Sequence, residues 1–224
     1  MKILRGSIVC LVVLLSTVSL LRAQDLSKYR HFTLGMSLTK LLERTDEKMS
    51  DVKTIHGRPA LIQEVHWWPP NTPGTSFRSE GVEQVLFSFY NGELYKIFVT
   101  YDPPSTAGLT EEDMVKSISA KYGSATIVAP EMDSPAKPAF NSAQRFVASW
   151  EDAQYSVNLV RSYFSDALGL VVFSKPVNTQ AELAIGEAVK LDEQEGPKRE
   201  ADREKKQKDD LEAARQKNQK SFRP

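Results

Sequence analysis

The segment from Val82 to Tyr101 constrains the fold more than any other. Val82 to Tyr90 and Glu93 to Tyr101 are two apolar-rich runs in which polar residues recur, and Asn91-Gly92 stands between them. That arrangement reads as a β-hairpin, because Asn-Gly supplies the left-handed backbone of a tight turn. A two-residue turn would pair Phe87 with Lys96 and mix polar with apolar side chains on both faces. A three-residue loop with Gly92 left-handed pairs Phe87 with Tyr95 and Val85 with Ile97. One face then carries Val85, Phe87, Phe89, Tyr95, Ile97 and Val99, and the other Gln84, Ser88, Lys96 and Thr100. A slip of one residue exchanges the faces, so the bulged turn is the expectation.

Further strands are expected over Ala60–Trp68, Ala143–Trp150, Gln154–Ser162 and Ala167–Ser174. Two helix starts separate them. Ser37 reads as an N-cap, with Met36 and Leu41 at staple spacing, and the helix should end near Glu47. Thr110 reads as a second cap, with Leu109 and Met114 as the staple and Glu111, Glu112 and Asp113 at the positive end of the helix dipole. Met114, Val115, Ile118 and Tyr122 give that helix one apolar face, and Gly123 stops it.

The order is therefore helix and three strands, twice over, with a proline-rich loop from Ala129 to Ser142 in the second set. Carrying Ser37 onto Thr110 also carries Met36 onto Leu109, Leu41 onto Met114 and Val85–Tyr101 onto Asn158–Ser174. A tandem α-β-β-β duplication, with repeats over 33–105 and 106–176, explains this. The expected fold class is α+β: antiparallel sheet packed by two short helices over 25–176.

From 177 to 224 the character changes. Leu183, Ile185, Val189 and Leu191 allow one more short helix, and Gly196-Pro197 should interrupt it. Beyond Lys198 the chain is dominated by charge of both signs, with Leu211 and Phe222 its only large apolar residues. No coiled-coil seam exists there, because Glu204 and Asn218 stand seven residues either side of Leu211. The tail is expected to be either a solvated single helix or disordered.

The first 23 residues read as a secretory signal peptide. Lys2 and Arg5 are followed by an apolar run from Ile8 to Leu21, and Ala23 precedes polar Gln24. The run falls short of the roughly 20 residues a membrane span needs, so retention as an anchor is the secondary reading. The expected location is periplasmic or secreted, with no membrane insertion after cleavage. Cys10, the only cysteine, lies within that leader, so the mature chain would hold no disulfide or thiolate. The 29 basic residues equal the 29 acidic ones, and three of the basic ones belong to the leader. A slightly acidic mature chain offers no positive field for nucleic acid.

The most unusual local feature is His66-Trp67-Trp68-Pro69-Pro70. Neighbouring strand residues point to opposite faces, so Trp67 and Trp68 cannot enter the same core layer. Trp67, Trp68, Pro69 and Pro70 are the candidate binding residues, a platform for a peptide or sugar. For metal, Glu64 and His66 share a strand face, and His56 would have to fold back to complete a three-ligand set. No nucleophile elbow, phosphate loop or dinucleotide fingerprint is present, and no cofactor is expected.

Leu34-Gly35-Met36-Ser37 with Leu41 and Leu42, and Tyr122-Gly123 closing the second helix, resemble helix boundaries of small outer-membrane assembly lipoproteins and of the β-lactamase-inhibitor protein. The chain as a whole resembles exported bacterial proteins. The resemblance implies a binding or assembly module, whose partner would be another envelope protein or peptide. The functional expectation is thus a non-catalytic exported protein that binds another envelope macromolecule. The alternatives are a small hydrolase or metal-binding periplasmic protein using His56, His66 and Glu64, or a signal-anchored membrane protein.

Overall fold

A computed structural model describes residues 25–70, 81–127, 144–165, 167–221 and 223. The leader with Cys10, the proline-rich loop, Asn71 to Gly74 and Phe222 lie outside the described residues. The protein is α+β, built on one eight-stranded antiparallel sheet and a two-stranded one. The small sheet pairs β1 (Lys28–Tyr29) with β2 (Phe32–Thr33). Helix α1 (Leu38–Thr45) leads into β3 (Val52–His56), β4 (Ile62–Trp67), β5 (Val82–Tyr90) and β6 (Glu93–Tyr101). A short helical turn, α2 (Pro103–Thr106), precedes α3 (Glu111–Tyr122). Then come β7 (Thr126–Ile127), β8 (Gln144–Glu151), β9 (Tyr155–Ser162) and β10 (Leu168–Ser174). Helix α4 (Lys175–Ser221) completes the chain.

Both early helices begin where their caps direct. The Ser37 hydroxyl accepts from the Lys40 amide. Thr110 and Asp113 bond reciprocally, each side chain satisfying the other's backbone N–H. That box does the capping, since Leu109, the expected staple, is 44% exposed.

The strands run β3-β4-β5-β6-β10-β9-β8-β7. Each half is a helix followed by an antiparallel meander of four strands, one more than expected, because β3 and β7 are short and lack clear alternation. The halves meet last strand to last strand. The offset that carries Ser37 onto Thr110 also carries Phe98 onto Val171, and those two residues are direct partners in the β6–β10 pairing. A local two-fold relation is therefore centred on that pair.

The hairpin register differs from the expectation. Asn91 (φ 50°) and Gly92 (φ 86°) both take left-handed backbone, so the turn holds two residues and Tyr90 pairs with Glu93. Asn91 tolerates this because its side chain accepts the Leu61 amide at 3.0 Å. The extra residue enters one pair further on. Phe89 opposes Leu94, Ser88 opposes Lys96, and Tyr95 is bulged out between them. Phe87 consequently pairs with Ile97 and Val85 with Val99. Tyr95 leaves the face it was assigned to and joins the opposite one.

One face of the sheet, here the inner face, packs under α1, α3 and the β1–β2 ribbon. Val85, Phe87, Phe89, Ile97 and Val99 are fully buried there, with Leu41, Leu159, Leu170 and Val172. Each such side chain contributes about 1.5–3 kcal/mol by leaving water. Phe32 sits with its ring centroid 4.6 Å from Phe87 and 5.6 Å from Trp67. Trp150 donates its indole N–H to the Gly123 carbonyl at 2.8 Å, which locks the end of α3 onto β8. Glu111 sits between Arg145 and Arg161, which are direct partners on β8 and β9.

The outer face is partly covered by α4. The helix does not stop at Gly196-Pro197 but runs on to Ser221. Proline removes only one bond to a carbonyl, which water can satisfy on an exposed helix, and the flanking Lys, Glu, Ala and Arg are good helix formers. Of Leu183, Ile185, Val189 and Leu191, which mark this helix in the sequence, Ile185 packs partly buried against Ile62 and Tyr95 but none is fully buried. Asn178, Ala181, Ala184 and Ala188 are buried instead, while Leu183 is 66% exposed. Small residues face the sheet because Tyr95 and Ile62 already fill the space beneath Ala181.

Candidate functional site

The outer face is laid out by the strand register. One row across the sheet reads Lys53, Glu64, Ser88, Lys96, Phe173, Ser156, Glu151. The next reads His66, Leu86, Phe98, Val171, Asn158, Ser149. The third reads Gln84, Thr100, Gly169, Val160, Phe146.

The first row carries the face's charge, and α4 adds to it. Burial pulls the Lys96 ammonium below its ordinary value, while Glu182 of α4 and Glu64 pull the other way. The same carboxylates, after burial, push Tyr95 up to about 12. Asn178 donates to Glu182 at 2.8 Å. Beyond this cluster α4 passes the β3–β4 turn, where Arg58 and Glu195 form a two-pronged ion pair. A cavity of about 380 Å³ lies there, lined by Ile55, His56, Arg58, Asp192 and Arg199. Its charges are matched internally, since Arg199 pairs with Asp192 at 2.7 Å.

The second and third rows lie beyond α4. Leu86, Phe98, Thr100 and Phe146 are partly buried there, and a shallow depression of about 170 Å³ opens over Gly169. Phe98, Thr100, Gln144, Val160, Ser162 and Ser165 help to line it, and no α4 residue does. Glycine is required at its floor. A Cβ on residue 169 would come within 2.9 Å of the Val99 carbonyl oxygen and 3.1 Å of the Phe98 ring. At the β4 border stand His66 and Trp68, stacked with centroids 5.7 Å apart, and Nδ1 of His66 lies 2.6 Å from the Gln84 amide. At the β9 border the turn holds Tyr163 and Phe164, 62% and 85% exposed.

The two tryptophans do point opposite ways. Trp67 packs against the inner core, and Trp68 is 52% exposed on the outer side. Pro69 is buried and Pro70 exposed. Glu64 and His66 share the outer face of β4. His56 does not join them. It pairs with Ile62, four residues from His66 and so roughly 13 Å along the strand. Among the described residues no group of three or more His, Cys, Asp or Glu side chains could hold a metal ion, so the proposed ligand set is not assembled.

Phe98, Thr100, Gly169, Gln144, Tyr163 and Phe164 escaped the sequence reading. Their signal was present: Leu86, Phe98, Val160 and Val171 make the central strands apolar on both faces, which a sheet with one solvated face does not need. No described helix is long and apolar enough to cross a membrane. Comparison of the chain with protein-family models, with curated proteins and with solved structures finds no match to any of them.

Proposed function

We propose that this is an exported, non-catalytic protein that binds another envelope macromolecule through the open part of its outer sheet face. The observation that carries the reading is the pairing of a rigid sheet floor with solvent-exposed aromatic side chains. Trp68, Tyr163 and Phe164 stand exposed at its borders, and the partly buried Phe98 lies at its centre. Large aromatic side chains held in water by a stiff scaffold expose apolar area that a ligand can bury with little loss of conformational freedom. His66 is engaged by Gln84 and Trp68, which supports an orienting role for it rather than a reacting one.

A photoreactive amino acid placed at Thr100 or Phe164, in protein expressed in its native envelope, tests this. Adducts should form from those positions and not from Lys116 on α3, which lies on the opposite side of the molecule. Equal adducts from both sides, or none from the open face, would overturn the proposal.

A further inference from the structure

Resting on that binding surface, we infer that its ligand is an uncharged polysaccharide lying across the strands. The side chains of the second and third rows, with Trp68 and the depression lining, include no Asp, Glu, Lys or Arg among the described residues. The charged groups of this face belong to the first row. Glu64 and Lys96 stand with Glu182 of α4. Lys53 pairs with Glu64 across β3 and β4, and Glu151 pairs with Lys175 while accepting from Ser149. Within the second and third rows an anionic or cationic chain would find no counter-charge and would lose its hydration without compensation there.

A peptide strand is disfavoured for a different reason. β5, β6, β10 and β9 are interior strands, hydrogen-bonded on both sides. Their backbones cannot receive an added strand, so recognition here falls to side chains alone.

What the surface does offer suits a sugar ring. Trp68 is exposed beside the His66 ring it stacks on, and the partly buried Phe98 ring borders the depression. The negative quadrupole of an aromatic ring attracts the polarised C–H groups on one side of a pyranose. His66 and Gln84 stand beside Trp68, and Thr100, Gln144, Ser162 and Ser165 line the depression with Phe98. Amides and hydroxyls both donate and accept, as each sugar hydroxyl does. The 170 Å³ depression is below the few hundred Å³ that enclose a whole drug-sized ligand. It fits one ring of a longer chain. From Trp68 beside β4 to Ser162 on β9 there are four strand spacings, roughly 19 Å, room for several rings in a row.

The test is titration of the full mature chain with hexameric cello-, chito- and malto-oligosaccharides, read by tryptophan fluorescence and calorimetry. Polyglutamate and heparin serve as charged controls. Trp67 packs on the core and Trp150 is buried, so a blue shift on binding reports Trp68. At least one neutral hexamer should bind saturably. Trp68→Ala and Gln84→Ala should each weaken it about tenfold or more with unchanged melting temperature, and Lys116→Ala should leave it intact. Absence of saturable binding to all three hexamers up to ~10 mM, or tighter binding of a charged control, overturns the inference. Thr100 adducts to a protein, combined with no saccharide binding, would sink the glycan assignment alone. Absence of both would remove the binding surface as well.

Discussion

Replacing Gly169 with alanine should destabilise the protein out of proportion to the single methyl added. The new Cβ would stand 2.9 Å from the Val99 carbonyl oxygen, 3.1 Å from Phe98 Cε2 and 3.3 Å from Val160 Cγ2. Two of those atoms belong to side chains that can move slightly. The carbonyl cannot, because it lies on the strand paired with residue 169, and moving it stretches the β6–β10 ladder. Overpacking of this kind costs about 2–3 kcal/mol, offset by about 0.5–1 kcal/mol of backbone entropy that alanine saves over glycine. The net loss of about 1–2.5 kcal/mol corresponds to a melting temperature lower by roughly 2–10 °C for a chain of this size. Urea unfolding should show a lower midpoint with an unchanged slope. Gly57→Ala is the control, since nothing lies within 4 Å of its Cβ position. If Gly169→Ala and Gly57→Ala unfold alike, the close approach of β6 to β10 under the Phe98 ring is wrong, and the floor of the proposed binding surface with it.

Other outcomes follow from the same packing. Glu111→Gln removes the charge that separates Arg145 from Arg161, which stand directly opposite one another; a loss of about 1–3 kcal/mol in urea unfolding is expected, and no loss would deny that bridge. Burial holds Tyr95 and Tyr101 up to about 12, against an ordinary value of 10.0. Such groups stabilise fully below pH 10, and that contribution is lost as pH rises toward 12, because the unfolded chain gives up its protons first. Lys96 acts in the opposite sense, its burial penalty fading as pH approaches 10.5. Thermal melts from about pH 9 to 12 should therefore fall steeply, and Tyr95→Phe with Tyr101→Phe should flatten the curve. A chain ended after Glu200 should melt like the whole protein, since residues beyond it are all exposed among those described. One ended at Pro176 should melt well below, having lost Ala181, Ala184 and Ala188 from the outer face. Equal melting of the two would refute the seating of α4.

The sequence revealed most where one local rule acted alone. Ser37 and Thr110 fixed two helix starts through short-range hydrogen bonds, and alternation fixed the central strands. It misled where two rules competed. Asn91-Gly92 favoured a two-residue turn, whereas the face pattern demanded an extra residue, and the chain satisfied both by bulging at Tyr95. Sequence alone puts the extra residue inside the turn, because the element that takes up Tyr95 on the outer face is distant in the chain. That element is α4, whose alanine seam carries little hydrophobic periodicity. The aromatic border of the open face was half visible: Trp68 stood out beside its prolines. Phe98, Tyr163 and Phe164 gain meaning only when four strands place them on one surface.

The junction between β6 and β10 has a consequence for association. Within each half, neighbouring strands follow one another in the chain and pair locally; only at this junction do distant halves zip together. Either half alone would leave an interior strand with a bare row of amides and carbonyls. A second molecule's complementary half could supply the same partners in the same register, so a reciprocal swap would forfeit no ladder bond. Refolding at high concentration should accordingly trap intertwined dimers, and dilute refolding should give monomers.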